Sequence, residues 1–195
     1  MAPQLEQTLR QGFKRFNPFM IALFRLGLAP FVNAWPDVGG RILVLAHRGR
    51  KSGRRRLTPV NYAVVRGEVY ITAGFGRQAD WYRNLQNDPH VELWLPDGWW
   101  AGMAEDVSDS PERLPILRQV LIGSGVVAPL AGVDPHALDD ARLAAATRDY
   151  CLVRLHRTEA RTGPGGPGEF AWVWPLAAMA LLPLAWRGLW PRRRA

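Results

Sequence analysis

The sequence predicts an α+β domain, mainly antiparallel β, whose short strands curl into a small closed or partly closed barrel with flanking helices. Three observations lead there. From Arg41 onward, short β-branched and apolar runs alternate with glycine and proline, the punctuation of strands joined by turns. Most of the joining segments are too short for the crossovers that parallel strands need. Helical patterns gather at the chain ends and in one insertion before the last strand rather than alternating with every strand.

Taken in order, "FKRFNPFMIALFRLGLAPFVNAW" superficially resembles a signal peptide, but Arg25 interrupts its apolar stretch and Glu6 precedes it. It reads instead as an amphipathic helix with Asn17 as N-cap and Pro18 at the first helical position. Strands are expected near 42–48, 56–65 and 68–73, with "RGE" at 66–68 as a tight hairpin. "ADWYRNLQ" is a short helix placing Trp81 and Leu85 on one face, and "NDPH" ends it. "VELWL" and "WWAGMAEDV" are strands joined by a "PDG" turn. Helices over 111–123 and 135–147 start from Ser110–Pro111 and Asp134–Pro135, and "YCLVRLH" is the closing strand. The expected organisation is an N-terminal helical segment over 1–36, the barrel over 37–160, a Gly/Pro linker over 161–168 and an apolar, Trp-rich tail over 169–195. Phe170 to Trp186 carries no charge, yet it is shorter than the roughly 20 residues a spanning helix needs.

With 195 residues the chain is long enough for one real core and hardly two. Its formal charge of +8 favours anionic partners: nucleic acid, lipid headgroups or a phosphorylated small molecule. Only Lys14 and Lys51 are lysines; the other cations are arginines, whose planar fork suits phosphate and carboxylate. A single cysteine, Cys151, excludes an intramolecular disulfide framework and reads as a buried small hydrophobe. His47, His90, His136 and His156 lack metal-ligand spacing, and there is no nucleophile elbow or Ser-His-Asp order, so no metal site and no acyl transfer are expected. The acidic groups at Glu105, Asp106, Asp109, Asp139 and Asp140 read as caps or solvated faces.

The stretch "HRGRKSGRRRLTPV", His47 to Val60, concentrates charge at the mouth of an apolar strand. Arg48, Arg50, Lys51, Arg54, Arg55 and Arg56 repel one another, so either an anion compensates them or the turn is well solvated. Gly49 and Gly53 would let the backbone approach a ligand and donate N–H groups, with Ser52 adding a hydroxyl. The alternative is an exposed arginine-rich hairpin. "GFGRQA", Gly74 to Ala79, nearly fits a dinucleotide fingerprint, but the helix after it is too short to return to a parallel strand. It is left as a plain turn, or as a place where backbone nears a flat ligand.

Three motifs in order, "GRKSGRRRLTPV" (Gly49–Val60), "GEVYITAG" (Gly67–Gly74) and "ADWYRNLQNDPHVEL" (Ala79–Leu93), resemble the deazaflavin-dependent nitroreductases and quinone reductases that use coenzyme F420. The resemblance covers roughly residues 38–108. It implies a split β-barrel of the FMN-binding-like kind and a cofactor bearing a phosphodiester and a glutamate tail. By the same resemblance Arg50, Lys51, Ser52 and Arg56 hold the phosphate and tail, Gly53 permits the turn, and Pro59 and Val60 lie along the ring. Ala73 and Gly74 approach the ring by backbone, and Trp81 and Asn84 pack and hydrogen-bond nearby. The chain departs from the family pattern at "LAHRG" and at Phe75, which shifts the tail grip toward Arg48, Arg54 or Arg77. The substrate-pocket tyrosine cluster is replaced by "GSGVVAPLAGVDPHALDD".

The implied chemistry is hydride transfer from reduced F420 to a quinone, an activated alkene or a nitroaromatic acceptor, with Tyr62, Tyr82 and Tyr150 as candidate proton donors. Two other readings stand beside it: a split-barrel oxidoreductase using FMN, and a non-catalytic basic membrane-associated protein. Nucleic acid is not the expected partner. Trp172, Trp174, Trp186 and Trp190 flank an apolar middle closed by "RRR", an arrangement suited to a membrane surface. The expectation is a cytoplasmic protein, peripheral to or anchored in the inner face of the membrane through residues 169–195. The alternative is a tail helix packed on its own domain or on a partner.

Overall fold

The structure, a computed structural model, describes residue 12 and residues 16–189, with side chains through residue 182. Trp186, Trp190 and the arginines at 192–194 therefore lie outside the described side chains. Six strands, β1 (Ile42–Arg48), β2 (Arg55–Val65), β3 (Glu68–Ala73), β4 (His90–Leu95), β5 (Gly98–Asp106) and β6 (Cys151–Ala160), make up the sheet. They form a closed antiparallel barrel in the order β1-β2-β3-β6-β5-β4. Closure runs through β1 against β4, with Val44 opposite Trp94 and Leu45 opposite Leu93.

A helix α1 covers residues 16–25, followed by the single turns α2 (Ala29–Val32) and α3 (Pro36–Gly39). Helix α4 (Asp80–Asn87) bridges β3 to β4. The long β5–β6 connection carries α5 (Arg113–Ile122), α6 (Val127–Leu130) and α7 (Asp140–Ala146), and α8 (Val173–Leu189) ends the described chain.

The barrel interior on one face and helix α1 on the other explain why β1 is apolar at consecutive positions instead of alternating. Leu43 and Leu45 point into the barrel with Val69, Ile71, Leu93 and Leu155. Ile42 and Val44 point out and are covered, with Trp94, by Met20 and Phe24 of α1. Across the barrel, Ala63, Tyr70 and Leu152 are covered by Leu117 and Val120 of α5 and Leu143 of α7. Each such leucine contributes about 1.5–3 kcal/mol by leaving water.

The hairpin expected at 66–68 is a two-residue turn at Arg66–Gly67, with φ of 52° and 85°, the left-handed pair that fits tightly twisted strands. Several helix starts differ from the sequence expectation. Asn17 sits inside α1 rather than capping it, since residue 16 is already helical. Ser110 accepts from the Glu112 N–H at 3.3 Å but shapes a turn, and α5 begins at Arg113. The helix expected over 135–147 starts only at Asp140, capped by Asp139, which accepts from the Arg142 N–H at 2.8 Å. Asp134 caps a local turn through the N–H of His136. The reason for the shortening lies elsewhere in the chain: the Arg118 guanidinium from α5 draws the carbonyls of Pro135 and Leu138 to itself, away from a helical ladder. Strand β6 runs past the expected His156 to Ala160 because its polar end pairs with β5, Glu159 opposite Ala101 and Ala160 opposite Trp100.

The glycine-rich segment after β6 lies against the barrel and α1. The Gly165 carbonyl accepts from Arg55 at 2.8 Å, and the Gly168 N–H donates to the Phe24 carbonyl at 2.9 Å. A Cβ on Gly166 would strike the Trp99 ring, so only glycine fits there.

One end of the barrel is closed by a polar relay. His47 is 5% exposed; its Nε2 lies 3.0 Å from Thr58 Oγ1 and its Nδ1 3.3 Å from Asn84 Nδ2. The Asn84 Oδ1 accepts from both the backbone N–H (3.1 Å) and the guanidinium (3.0 Å) of Arg50. Arg50 also donates to the Asp80 carboxylate at 2.9 Å. Burial, reinforced by the charge of Arg56 and partly offset by a hydrogen bond with the Arg48 backbone, lowers the His47 pKa to about 4.

Because the folded His47 stays neutral while an unfolded one protonates near pH 6.5, stability is lost as pH falls from about 6.5 to about 4, by about 3 kcal/mol in all. Depressed carboxylates such as Asp80 and Glu105 start to lose their contribution only as pH falls into the ordinary carboxylate range, so they overlap the His47 window at its acid end alone. Urea unfolding across pH 7 to 4 is expected to show this slope in the wild type and a markedly flatter one in His47→Gln. An equal slope in both would exclude His47 as its source.

Candidate active site

A cavity of about 400 Å³ opens beside the barrel between β2, the start of α4, and the α5–α6 region. Thr58, Pro59 and Val60 of β2 form one wall, Gly74 and Trp81 another, and Val127 and Ala128 of α6 a third. That volume lies in the usual range for small-molecule sites, and most of the lining is apolar. A second, more polar cavity of about 890 Å³ adjoins it across Gly74, Phe75, Ala131 and Tyr150, with Arg77, Arg113 and Arg148 on its walls.

The cationic turn stands next to the first cavity. Arg56 is two residues before Thr58 on β2, about 7 Å along a strand. Asp80 both lines the cavity and binds Arg50, so the turn and the cavity wall are tied together. The Arg50 hydrogen bond, together with the positive charges around it, holds the Asp80 carboxyl below its usual range.

The turn keeps its shape through its own backbone. Gly49 N–H donates to Arg54 O at 2.9 Å, Gly53 N–H to Gly49 O at 2.8 Å, Ser52 N–H to Gly49 O at 3.2 Å, and Arg54 N–H to Ser52 Oγ at 3.4 Å. Gly53 has φ of 63°, which is why glycine is needed there. The expected cradle of free backbone donors is therefore largely used up inside the turn. What remains for a ligand is side-chain charge: Arg48, Lys51, Arg54 and Arg56 are exposed and make no ion pair among the described residues, while Arg55 is bound to Glu92 at 2.5 Å.

The other candidates separate clearly. Pro59, Val60, Gly74 and Trp81 line the cavity. Arg50 and Asn84 are engaged in the relay described above, where they brace the turn. Ala73 is buried in the barrel opposite Cys151, and Cys151 is a buried free thiol. Among the tyrosines, Tyr82 is buried and donates to the Asp106 carboxylate, and Tyr62 packs inside the barrel core. Only Tyr150 lines the cavity; its ring stands against Gly74, and burial pushes its pKa up. No group of three or more metal-ligating side chains occurs among the described residues.

Sequence reasoning missed Thr58, Asp80 and the α5–α6 wall. The stretch "GSGVVAPLAG" marked the region without saying which residues face inward. Asp80 carried no signal, since its partner Arg50 is 30 residues away.

The donor set fits an elongated polyanionic ligand with a flat ring: cations without an ion pair among the described residues at one end, and an apolar slot lined by Pro59, Val60 and Trp81 at the other. The chain is 39% identical over 56 residues to the Mycobacterium tuberculosis protein Rv3178, named provisionally as an F420H(2)-dependent quinone reductase. That stretch is 26% of this chain and 47% of the relative, so the chain matches about half of that relative's length. Among solved structures, the conserved hypothetical protein Rv2991 of M. tuberculosis superposes with a TM-score of 0.45 at 25% identity, covering 69% of this chain and 80% of that one. An F420 reductase gives 0.42 at 14% identity, covering 66% and 94%. The heme storage protein HutZ of Vibrio cholerae gives 0.45 at 17%, covering 72% and 96%. Superpositions this loose carry no residue correspondences. The family model for F420H(2)-dependent quinone reductase matches residues 24–123, which are 100 of the 195 and take in the cationic turn, β3, α4 and the α5 wall; the chain belongs to the F420H(2)-dependent quinone reductase family.

Proposed function

We propose that this protein reduces a quinone with F420H2, the acceptor lying in the 400 Å³ cavity against the cofactor ring. The observation that carries the reading is the pairing of that apolar slot with exposed cations at Lys51, Arg54 and Arg56 that make no ion pair among the described residues. When bound, the reduced deazaflavin supplies a hydride. The chain's own residues do the rest. Lys51, Arg54 and Arg56, with the Ser52 hydroxyl, hold the anionic phosphate and tail. Pro59, Val60 and Trp81 would lie along the ring and exclude water, with the Gly74 backbone beside it. Tyr150 keeps its phenolic proton at neutral pH, because burial disfavours the phenolate, and presents it at the cavity wall for the reduced acceptor. Activated alkenes and nitroaromatics are further two-electron acceptors of the size the cavity admits. The tail, with Trp172, Trp174 and Met179 exposed, supports a place at the cytoplasmic membrane surface; no described helix is long and apolar enough to cross a membrane.

Titration of the protein with F420, read by cofactor fluorescence, is expected to show binding that FMN does not displace. The double change Lys51→Ala with Arg56→Ala removes two charge-assisted contacts of about 1.5–3 kcal/mol each and should weaken binding at least tenfold. Undiminished affinity would sink the electrostatic grip.

Tyr150→Phe is expected to lower quinone turnover tenfold or more while leaving F420 affinity within twofold. Tyr62→Phe should retain turnover, since its ring lies in the core. Tyr82→Phe should also retain it, while lowering stability by about 1–3 kcal/mol as Asp106 loses a donor. Full activity in Tyr150→Phe would remove that residue from the reaction.

A further inference from the structure

The phenol on which the proposed proton transfer depends is held by nothing polar. Tyr82 is fixed by the Asp106 carboxylate, whereas the Tyr150 hydroxyl makes no hydrogen bond among the described residues. Its ring stands over the bare backbone of Gly74, where a methyl group would lie 3.7 Å from Cζ and 4.0 Å from the phenolic oxygen. The place of that hydroxyl is therefore set by ring packing and by the backbone that carries Tyr150.

That backbone is a tight turn between α7 and β6, closed where the Tyr150 N–H donates to the Thr147 carbonyl at 3.0 Å. Thr147 is fully buried, and its hydroxyl donates to the Leu143 carbonyl at 2.8 Å. Arg148 and Asp149 in the middle are exposed, and their 3.9 Å ion pair adds little. The turn is clamped from outside by one guanidinium. Arg113, the first residue of α5, donates from Nη2 to the carbonyl of Thr147 and, at 2.9 Å, to that of Tyr150, so it grips both ends. Helix α5 is itself packed on the barrel through Leu117 and Val120, which ties the turn to the rigid body. Arg113 makes no ion pair among the described residues; a half-buried cation is committed to two backbone carbonyls, and charge-assisted bonds of this kind are about twice as strong as neutral ones.

A second arginine of the same helix shows what bracing alone looks like. Arg118 donates to the carbonyls of Pro135 and Leu138 and to the Asp140 carboxylate, and the stretch it holds lines neither cavity. Both arginines spend their charge on carbonyls of the same insertion, but only Arg113 grips the residue that lines the acceptor's cavity.

We infer that Arg113 is a positioning residue for the reductase reaction, fixing the Thr147–Tyr150 turn so that the Tyr150 phenol faces the acceptor. The inference rests on Tyr150 as the proton donor. In that step the Tyr150 O–H bond breaks, an O–H bond forms on the anion that hydride addition leaves on the quinone, and the phenolate recovers a proton from water. A misplacement of about 1 Å costs up to about a hundredfold in rate, which is the scale of loss a loosened turn brings.

The test uses the full chain loaded with F420H2 and a soluble quinone. Arg113→Met removes the donors and is expected to lower kcat at least tenfold, with quinone KM and F420 affinity within threefold; Arg113→Lys, which keeps a cationic donor, should lose only about threefold. Arg118→Met is expected to lose urea stability yet keep kcat within threefold. In a Tyr150→Phe background Arg113→Met should cost no more than a further twofold, because the group it positions is gone. With tyrosines carrying carbon-13 at Cζ, the resonance missing from Tyr150→Phe is expected to shift or broaden in Arg113→Met while that of Tyr62 stays. Unchanged kcat in Arg113→Met, a loss of equal size in both backgrounds, or an unmoved Tyr150 resonance would overturn the inference. If Arg113→Met does not fold, Arg113→Lys decides: its loss should vanish in the Tyr150→Phe background, and no loss, or one that persists there, overturns the inference. Full turnover in Tyr150→Phe together with a displaced resonance in Arg113→Met overturns it too, and locates the failure in the proton-donor reading rather than in the clamp.

Discussion

Arg48, Lys51, Arg54 and Arg56 crowd a turn a few residues long, and no carboxylate among the described residues lies within ion-pair distance of any of them. Like charges at such spacing repel, by about 1 kcal/mol per pair at 4 Å in water and more as solvent is withdrawn. Something other than charge must therefore hold the turn in place. It is held by three hydrogen bonds within its backbone, by a fourth from the Arg54 N–H to the Ser52 hydroxyl, and by the Asn84 amide, which accepts two donors from Arg50 while facing the neutral ring of His47. The neighbouring cations that are compensated, Arg50 by Asp80 and Arg55 by Glu92, tie the turn to α4 and β4. The structure divides the arginines between bracing and display, and the site's electrostatics follow from that division.

The same division sets the orientation of the site. Asp80 fixes Arg50 on one side and lines the cavity on the other, so the displayed charges and the apolar slot keep a set distance. Contacts held in place in this way cost little entropy when a ligand binds. Tyr150, just before β6 and beside Gly74, stands where the apolar cavity gives way to the polar one.

Much of the barrel was legible because its cues are local. The edges of β1 and β3 follow from glycine and proline punctuation, and the hairpin at Arg66–Gly67 from residues suited to a left-handed turn. What escaped was set by distant partners. Arg118 reaches across from α5 and stops Pro135–Leu138 from becoming helix, and nothing within that stretch announces it. The end of β6 is polar and is a strand only because β5 pairs with it. The motif resemblance gave the cationic turn and Trp81 but could not separate Arg50, which braces, from Arg56, which is displayed; that depends on where Asp80 falls in space. The α5–α6 wall was opaque for a related reason, since a short apolar helix does not tell which face meets a cavity.

The glycine strap after β6 passes over Trp99, bonds to Arg55, and hands the chain to α1, where Arg25 sits against the Phe170 ring with its Nε 3.9 Å from the Glu169 carboxylate. A shortened protein ending at Ala160 would thus take Phe170 off the Arg25 guanidinium and the Gly168 donor off the Phe24 carbonyl at once. Solubility trimming, the routine first step toward crystals, would here wound the body it was meant to free.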